Sequence, residues 1–531
     1  MKTTPLAHTR TRARIWSILL WPGFCLSLPA AELQFTLTPT ADNKQFGTAY
    51  ASAGDINGDG FTDLAVSDPS YRSGALLGSG IVYIVSGADG TLLRTYQGDA
   101  AASQYFGFSL AALDANGDGI TDLAVGSPGY AGTVGYGTGA VRIYSGADGA
   151  LLSFTVGTIT SQYGSSLANA GDQNGDGSDD LYVGAPLANS NRGAVYVQSG
   201  LAGSVLRTII PAISFTSFGT ALAALGDVDA DGLNDVAVAS PGFRPGTIAN
   251  AGKVSIIRSS DGGIAVEKAG TAVYNRLGQT LAPAADANGD GFADLMIGSY
   301  SGGIALLVSG TDLSTLLDVS IPTLPAFQPV NVGGSVDYDD DGVADLMIGS
   351  PALNQTVIPA AGGVRILSGL DGSALFELMA TAAYTGLGTS MAPLPGFGFA
   401  IGENMLLDAT TGGSGFAHLY YIEQEEPVID SDGDGFLDDV DAVPQSIMDP
   451  VISILGLSSS VPNRVDSSGT TLADRFAALG ILSDYRKPAQ YLMAATSLTA
   501  DLFSAKLVSK KEAVRLIATS AVSVVLGSRR R

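Results

Sequence analysis

Six times the chain returns to one acidic, glycine-bearing phrase: "DINGDGFTD" at 55–63, "DANGDGITD" at 114–122, "DQNGDGSDD" at 172–180, "DVDADGLND" at 227–235, "DANGDGFAD" at 286–294 and "DYDDDGVAD" at 337–345. The first aspartates of these loops stand 59, 58, 55, 59 and 51 residues apart. A period of that size marks a supersecondary unit whose copies bury their faces against one another in a single stacked or closed array. The order within a unit is constant. In the second it runs "FGFSLAAL", the acidic loop, "TDLAVGSP", a variable glycine-rich stretch, "GAVRIYSG", an "ADG" turn and "ALLSFTVG". Four short apolar segments split by turn residues read as four antiparallel strands, and that is a propeller blade. The predicted fold is therefore all-β, a ring of small four-stranded antiparallel sheets.

The loop has the form D-x-[DN]-x-[DN]-G-x-x-D, in which alternate residues turn oxygens toward one centre and the glycine permits the bend. The donors in the first unit are Asp55, Asn57, Asp59, the Phe61 carbonyl and Asp63. Their counterparts are Asp114, Asn116, Asp118, Ile120 and Asp122; Asp172, Asn174, Asp176, Ser178 and Asp180; Asp227, Asp229, Asp231, Leu233 and Asp235; Asp286, Asn288, Asp290, Phe292 and Asp294; and Asp337, Asp339, Asp341, Val343 and Asp345. Hard oxygens at this density suit calcium, which takes about 6–8 of them. An EF-hand would carry a glutamate at the twelfth place and helices on both sides. Val66 stands there and a strand-like run follows, so this is a calcium loop in a β-turn setting. The six loops bring 20 aspartates to donor positions, and converging carboxylates repel unless a cation sits among them.

Each unit opens on an aromatic–glycine pair or a relative of it: Phe46-Gly47, Phe106-Gly107, Tyr163-Gly164, Phe218-Gly219 and Leu277-Gly278. Gln328-Pro329 fills that slot in unit six, and Leu387-Gly388 announces a seventh unit without aspartates. In the register of the others, "PGFGFAIGE" at 395–403 is the length of a loop that has lost its metal, "NMLLDA" at 404–409 is the second strand and "GFAHLYYI" at 415–422 the third. No fourth strand follows. "ELQFTLT" at 32–38 resembles the fourth strands of other units and is placed to close blade seven, which leaves no free sheet edge.

The Phe-Gly pair, the acidic loop and the "VGSP" or "VGAP" after it (Gly126 to Pro128, Gly184 to Pro186) resemble the FG-GAP repeat of the integrin alpha-subunit β-propeller. The resemblance spans 32–424 and implies seven blades with calcium held in the loops. It also implies ligand recognition on the opposite face, in the connectors between second and third strands. Candidates there are Tyr71 and Arg72, Tyr130 and Tyr136, Asn191 and Arg192, and Phe243 and Arg244; aromatic and arginine side chains are favoured contact anchors. Integrin alpha-subunits usually have fewer metal-bearing blades, and nothing here resembles their later domains, so an integrin's own function does not follow.

Flanking segments complete the organisation. Residues 1–30 read as a signal peptide: Lys2, Arg10, Arg12 and Arg14 precede the apolar "IWSILLWPGFCLSLPA". Losing four of the 27 basic residues and none of the 51 acidic ones takes the charge from -24 to -28, and Cys25 leaves with the leader. A secreted chain without disulfides needs another staple, which calcium supplies. Such an acidic chain repels nucleic acid and anionic membranes. At 428–445, Asp430, Asp432, Asp434, the Phe436 carbonyl, Asp438 and Asp441 resemble one thrombospondin type-3-like calcium loop. Residues 451–531 carry helical periodicity, with Tyr491, Ala495, Leu498 and Leu502 on one face. The uncharged run from Leu516 to Ser528 is 13 residues, short of the roughly 20 that span a bilayer. Membrane association could come only through this region.

The histidines are His8, in the leader, and His418, on a strand of blade seven, so a histidine-based triad would have to use His418. The repeat, its calcium loops and the leader together read as a secreted, calcium-stabilised propeller acting as a binding or adhesion module for an extracellular protein or glycan; the alternative is an extracellular enzyme on polysaccharide or lipid with the propeller as scaffold.

Overall fold

The computed structural model describes residues 7–14, 31–38, 45–403 and 416–422, with short gaps at 75, 100, 102, 133–136, 214–215, 322–323, 325–327, 340, 342, 354–360, 381–385 and 395–397. In the C-terminal part it describes 451–454, 457–462, 493–499, 502 and 516. The chain falls into two units, Met1–Glu423 and Gln424–Arg531.

The first unit is a seven-bladed β-propeller. Six sheets each hold four consecutive antiparallel strands; in blade two these are Ser109–Leu113, Asp122–Ser127, Ala140–Tyr144 and Leu151–Val156. The first strand of every blade lies innermost and packs on the first strand of its neighbours around the ring, Leu387–Leu394 meeting Tyr50–Gly54 where the circle closes. Sequence character follows radial position. Second and third strands such as Asp63–Asp68 and Ile81–Val85 are buried throughout and read as continuous apolar runs. Outer strands such as Ile264–Ala269 face solvent and alternate or turn polar.

The core lies between blades rather than within them. Phe106, Leu123 and Val125 of blade two pack on Ala65, Val82 and Ile84 of blade one. An equivalent cluster fills every junction, including the last, where Leu37, Ala400 and Ala417 meet Phe46, Leu64 and Val66. A single blade therefore has no interior of its own, and the ring gains its apolar burial only by closing.

The aromatic–glycine pair is the device that sets the spacing. Phe46, Phe106, Tyr163, Phe218, Leu277 and Leu387 are all buried. Five of these residues form a parallel bridge to a glycine that opens the third strand of the preceding blade: Gly80 to Phe106, Gly139 to Tyr163, Gly193 to Phe218, Gly252 to Leu277 and Gly362 to Leu387. A Cβ on Gly193 would stand 2.2 Å from the Phe218 carbonyl oxygen, so glycine is required there by close approach as well as by its φ of +86°. A polar side chain at the start of the inner strand adds a second tie. Ser109, Ser166 and Thr280 hydroxyls donate to the carbonyls of Gly164, Gly219 and Val330 in the following blade, and Asn331 donates to Gly388. Ser390 does the same to Gly47 across the closure. In blade six the acceptor is Val330 rather than the expected Gln328-Pro329 pair.

Blade seven corrects the expected register. Its second strand is Gly398–Glu403, joined to Leu387–Leu394 by residues 395–397, with Leu394 paired to Gly398. The stretch expected to be a degenerate metal loop is thus itself strand, since "GFAIGE" is apolar enough to be buried. The expected second strand at 404–409 lies outside the described residues. Phe416–Ile422 follows as third strand and Ala31–Thr38 pairs with it antiparallel as the fourth. His418 sits between Thr36 Oγ1, 3.0 Å from Nδ1, and Glu403 Oε2, 2.8 Å from Nε2, so a side-chain chain links three strands at the seam. Ala7–Arg14 adds a fifth strand outside Ala31–Thr38; residues 15–30 lie outside the described residues.

In the second unit the expectation of a helical 451–531 is corrected at its start, where Val451–Ile454 and Leu457–Pro462 pair as a hairpin. β-Branched Val451, Ile452, Ile454 and Val461 favour strand over helix. Residues 493–499 are helical, with Ala495 and Thr499 buried; Leu502 and Leu516 are buried as well. The acidic loop at 428–445 lies outside the described residues. Among the described residues no helix is long and apolar enough to cross a membrane.

The blade junction is testable with two glycines. Gly193→Ala forces a methyl into the Phe218 backbone and should cost about 2–5 kcal/mol. Gly246→Ala, at φ +60° with open space around it, should cost about 1–2 kcal/mol. Denaturant melts giving equal losses would remove the close approach as the basis of blade spacing.

Candidate functional site

The inner strand of each of the first six blades runs toward one face and turns back through the acidic loop, so loops and third-to-fourth-strand turns share that lower face. The last aspartate of each loop binds the two together. Asp63 is fully buried; its Oδ2 accepts from Ile56 N at 2.9 Å and its Oδ1 from Gly87 N at 3.2 Å. Asp122, Asp180, Asp235, Asp294 and Asp345 repeat this, receiving N–H groups from their own loop and from Gly146, Gly200, Ser259, Gly310 and Gly369. The first aspartate folds the loop around itself: Asp55 accepts from Gly58, Asp59 and Gly60 N–H groups at 2.7–3.1 Å, and Asp114, Asp172 and Asp286 match it. Gly60, at φ +87°, carries the bend.

Burial and hydrogen bonding push carboxylates of one loop in opposite directions. Asp172, exposed and hydrogen-bonded by Gly177 N–H, is held below the usual range. Burial pushes Asp180 and Asp235 up to about 6 and Asp345 to about 7; Asp63, Asp122 and Asp294 move the same way. Burial works against the ionised form of these carboxylates, and a cation among them would favour it. The geometry fits one. Carboxylate oxygens of Asp227, Asp229 and Asp235 lie within 4.8 Å of one another, as do those of Asp337, Asp339 and Asp345. Where the third loop position is asparagine, as at Asn57, its Nδ2 donates to Asp59 Oδ2 at 2.8 Å and its Oδ1 accepts from Asp59 N, so the two side chains hold each other within the loop.

The opposite, upper face carries the second-to-third-strand connectors. Of the residues expected to contact a ligand there, Arg72, Asn191 and Arg244 are exposed. Tyr71 packs on the core and its carbonyl accepts from Ser79. The Tyr130 and Phe243 rings lie against Arg142 and Lys253, at 5.4 and 4.4 Å. Arg192 is half-buried and its carbonyl accepts from Phe218 N and Thr216 Oγ1. Tyr136 lies outside the described residues. Tyr71, Tyr130 and Phe243 are thus held by internal contacts, while the arginines at 72 and 244 stand without an ion-pair partner among the described residues.

A cavity of about 470 Å³ opens on this face across blades two to five. Asn191 is part of it, at the end of a three-residue left-handed stretch with φ of 54°, 60° and 63° at Asn189, Ser190 and Asn191. Most of the remaining lining comes from the residues flanking the aromatic–glycine pairs: Gln162, Ser217 and Arg276 before them, Phe108, Ser165, Thr220 and Gln279 after them. The preceding position is left-handed in each case, with φ of 54°, 53° and 52°. These lining residues were not expected, although the signal was present: positions adjoining a repeating buried pair occur once per blade and vary in chemistry. A second space of about 310 Å³ is the mouth of the central channel, lined by the inner strands of all seven blades.

The ring of four-stranded blades with an acidic loop on one face defines the class. The FG-GAP repeat model matches residues 46–85, 106–144, 163–197 and 218–257, the bodies of blades one to four, so the β-propeller carries four FG-GAP repeats. Its propeller is similar to that of integrin alpha chains: 30% identical over 266 residues to integrin alpha-V of Gallus gallus, covering 45% of this chain and 25% of that one. It is 32% identical over 227 residues to integrin alpha-5 of Xenopus laevis (39% and 21%). It is 35% identical over 167 residues to integrin alpha-2 of Bos taurus (29% and 14%). The chain thus spans a quarter or less of the length of these relatives.

The raised carboxylates give a pH signature. An aspartate whose folded pKa exceeds its ordinary value destabilises the fold as it ionises, so chelator-treated protein should lose stability as pH rises from about 4 to about 7 and level off above, the window set by Asp180, Asp235 and Asp345. Saturating calcium should flatten or reverse that slope. Thermal melts with the same slope in both conditions would remove the cation from these loops.

Proposed function

We propose that this is a secreted, calcium-stabilised propeller that acts as a binding or adhesion module for an extracellular protein or glycan. The observation that carries the reading is the division of the two faces. The lower face is committed to acidic loops and their buried aspartates, while the upper face presents Arg72 and Arg244, without an ion-pair partner among the described residues, and a cavity. Binding surfaces concentrate in loops that a rigid scaffold holds, and similarity to integrin alpha chains supports an extracellular partner.

Calcium enters as structure rather than as chemistry. Six ions in the propeller loops, with donors as at Asp55, Asn57, Asp59, Phe61 O and Asp63, would neutralise the converging carboxylates. A seventh would sit in the tail loop around Asp430, Asp432, Asp434, Phe436 O, Asp438 and Asp441. Binding to the folded chain alone stabilises it by mass action, about 2.7 kcal/mol per site at a free concentration 100 times Kd. Asp172→Ala should reduce the calcium-induced gain in melting temperature by roughly one site's share.

Residues 1–30 act as the leader in this reading, and the protein acts outside the cell or at its surface. N-terminal sequencing of protein from culture fluid should begin near Ala31; full-length protein starting at Met1 there would refute cleavage. For the binding role, calcium-loaded protein is immobilised and offered extracellular-matrix proteins and a glycan array. Captured partners should be lost at least tenfold on Arg72→Ala with Arg244→Ala, with melting unchanged. Binding indifferent to both, and to substitutions in the cavity, would overturn the upper face as the ligand surface.

A further inference from the structure

The cavity of blades two to five has a chemistry unlike the rest of the molecule. In a chain of formal charge -24, no carboxylate lines it. Its polar groups are neutral amides and hydroxyls from two glutamines, two asparagines, two serines and a threonine; each can donate and accept. The charge among them is Arg276. Four other cations of the propeller are paired with carboxylates: Arg142 with Asp99, Lys253 with Glu267, Arg258 with Asp261 and Arg365 with Glu377. The Arg276 guanidinium has no carboxylate or carbonyl partner among the described residues. It lies 4.8 Å from the centre of the Tyr300 ring, which steadies its plane and leaves its N–H fork unspent. The Arg276 backbone is pinned as well, its N–H donating to Asn250 O at 3.0 Å and its carbonyl accepting from Gln279 N.

We propose that this cavity binds a carboxylate-bearing saccharide, a uronic-acid unit of an extracellular glycan, with Arg276 as the partner of the carboxylate; the proposal rests on the reading of the upper face as a ligand surface. A planar fork of N–H donors matches a carboxylate bidentately. The surrounding amides and hydroxyls match neighbouring sugar hydroxyls, which also donate and accept. Phe108, 46% exposed at the cavity edge, offers an apolar surface for the C–H face of a sugar ring. A volume of about 470 Å³ lies within the range of about 300–1,000 Å³ typical of small-ligand sites. An acidic peptide would also satisfy Arg276, but it offers separate N–H donors and C=O acceptors at fixed backbone spacing, whereas the hydroxyls around a sugar ring each donate and accept, as the lining groups do. The repulsion an acidic polymer meets at this acidic protein is long-range and screened by salt.

The test is calorimetric titration of the full-length calcium-loaded protein with a galacturonic acid trisaccharide, its methyl ester and an oligoglutamate of equal charge. The free acid should bind at least tenfold more tightly than the ester, and oligoglutamate weakly or not at all. Arg276→Gln should weaken the free acid roughly tenfold or more and leave the ester unchanged, as expected for losing a charge-assisted bidentate contact. Arg276→Lys, which keeps the charge without the fork, should fall between. Equal binding of the free acid by wild type and Arg276→Gln at the same melting temperature would overturn the assignment. So would oligoglutamate binding as tightly as the saccharide, which would make the ligand a peptide. No saccharide binding by a protein that still captures a partner through Arg72 and Arg244 would defeat this proposal and leave the binding module standing; loss of every upper-face effect would defeat both.

Discussion

A buried carboxylate with two backbone N–H partners organises each of the first six blades. Asp63 receives one hydrogen bond from its own loop and one from the turn between third and fourth strands, and so ties the inner half of the blade to the outer half. The arrangement is under tension. Neutral N–H groups reduce the cost of burying the charge but do not remove it, which is why burial pushes Asp345 to about 7. The nearby rim aspartates add repulsion. The attraction of each carboxylate to a cation at that centre would outweigh these unfavourable terms, so the carboxylates that make the loop costly are also those that would make it a lock.

Between blades the logic is different, because there the interactions are apolar and steric. Each junction is filled by side chains from both sheets, and no blade can be satisfied alone. Glycines at 80, 139, 193, 252 and 362 let the next blade's backbone approach closely enough for a parallel bridge. Closure has its own clasp in blade seven, where Thr36, His418 and Glu403 join three strands that come from opposite ends of the chain.

How much of this was legible in the sequence depended on whether the physics was local. The acidic loops were readable because donor spacing, the bend glycine and the following apolar strand all lie within about a dozen residues. The pairing of Ala31–Thr38 with Phe416–Ile422 within blade seven was readable from the count of strands, since a sheet edge left open needs a partner. Blade seven's second strand was misplaced because a fixed offset from Leu387 was carried into a hairpin that had lost its loop; Gly398–Glu403 follows after three residues. Tyr130 and Phe243 looked like contact anchors, yet cations that neighbour them in space, Arg142 and Lys253, hold their rings; that information is tertiary. The hairpin of Val451–Ile454 with Leu457–Pro462 was hidden by the helical periodicity of the residues after it, although its β-branched residues favour strand.

The cavity lining shows why a repeat of this kind can vary its recognition without disturbing its fold. Tyr163, Phe218 and Leu277 carry the packing and Gly164, Gly219 and Gly278 carry the backbone turn, so those positions are constrained. The residues on either side share the same backbone path but point their chemistry at the upper face: Gln162 and Ser165, Ser217 and Thr220, Arg276 and Gln279. Left-handed φ values at Gln162, Ser217 and Arg276 cost of order 1 kcal/mol each for non-glycine residues. That cost recurs blade after blade and is borne by the inter-blade contact just beyond it, not by the side chain at the slot. The identity at each slot is therefore free to follow the ligand. An arginine in one blade and glutamines or serines in its neighbours give a concave surface whose charge sits at a single defined point, held by a scaffold that draws its stability from elsewhere.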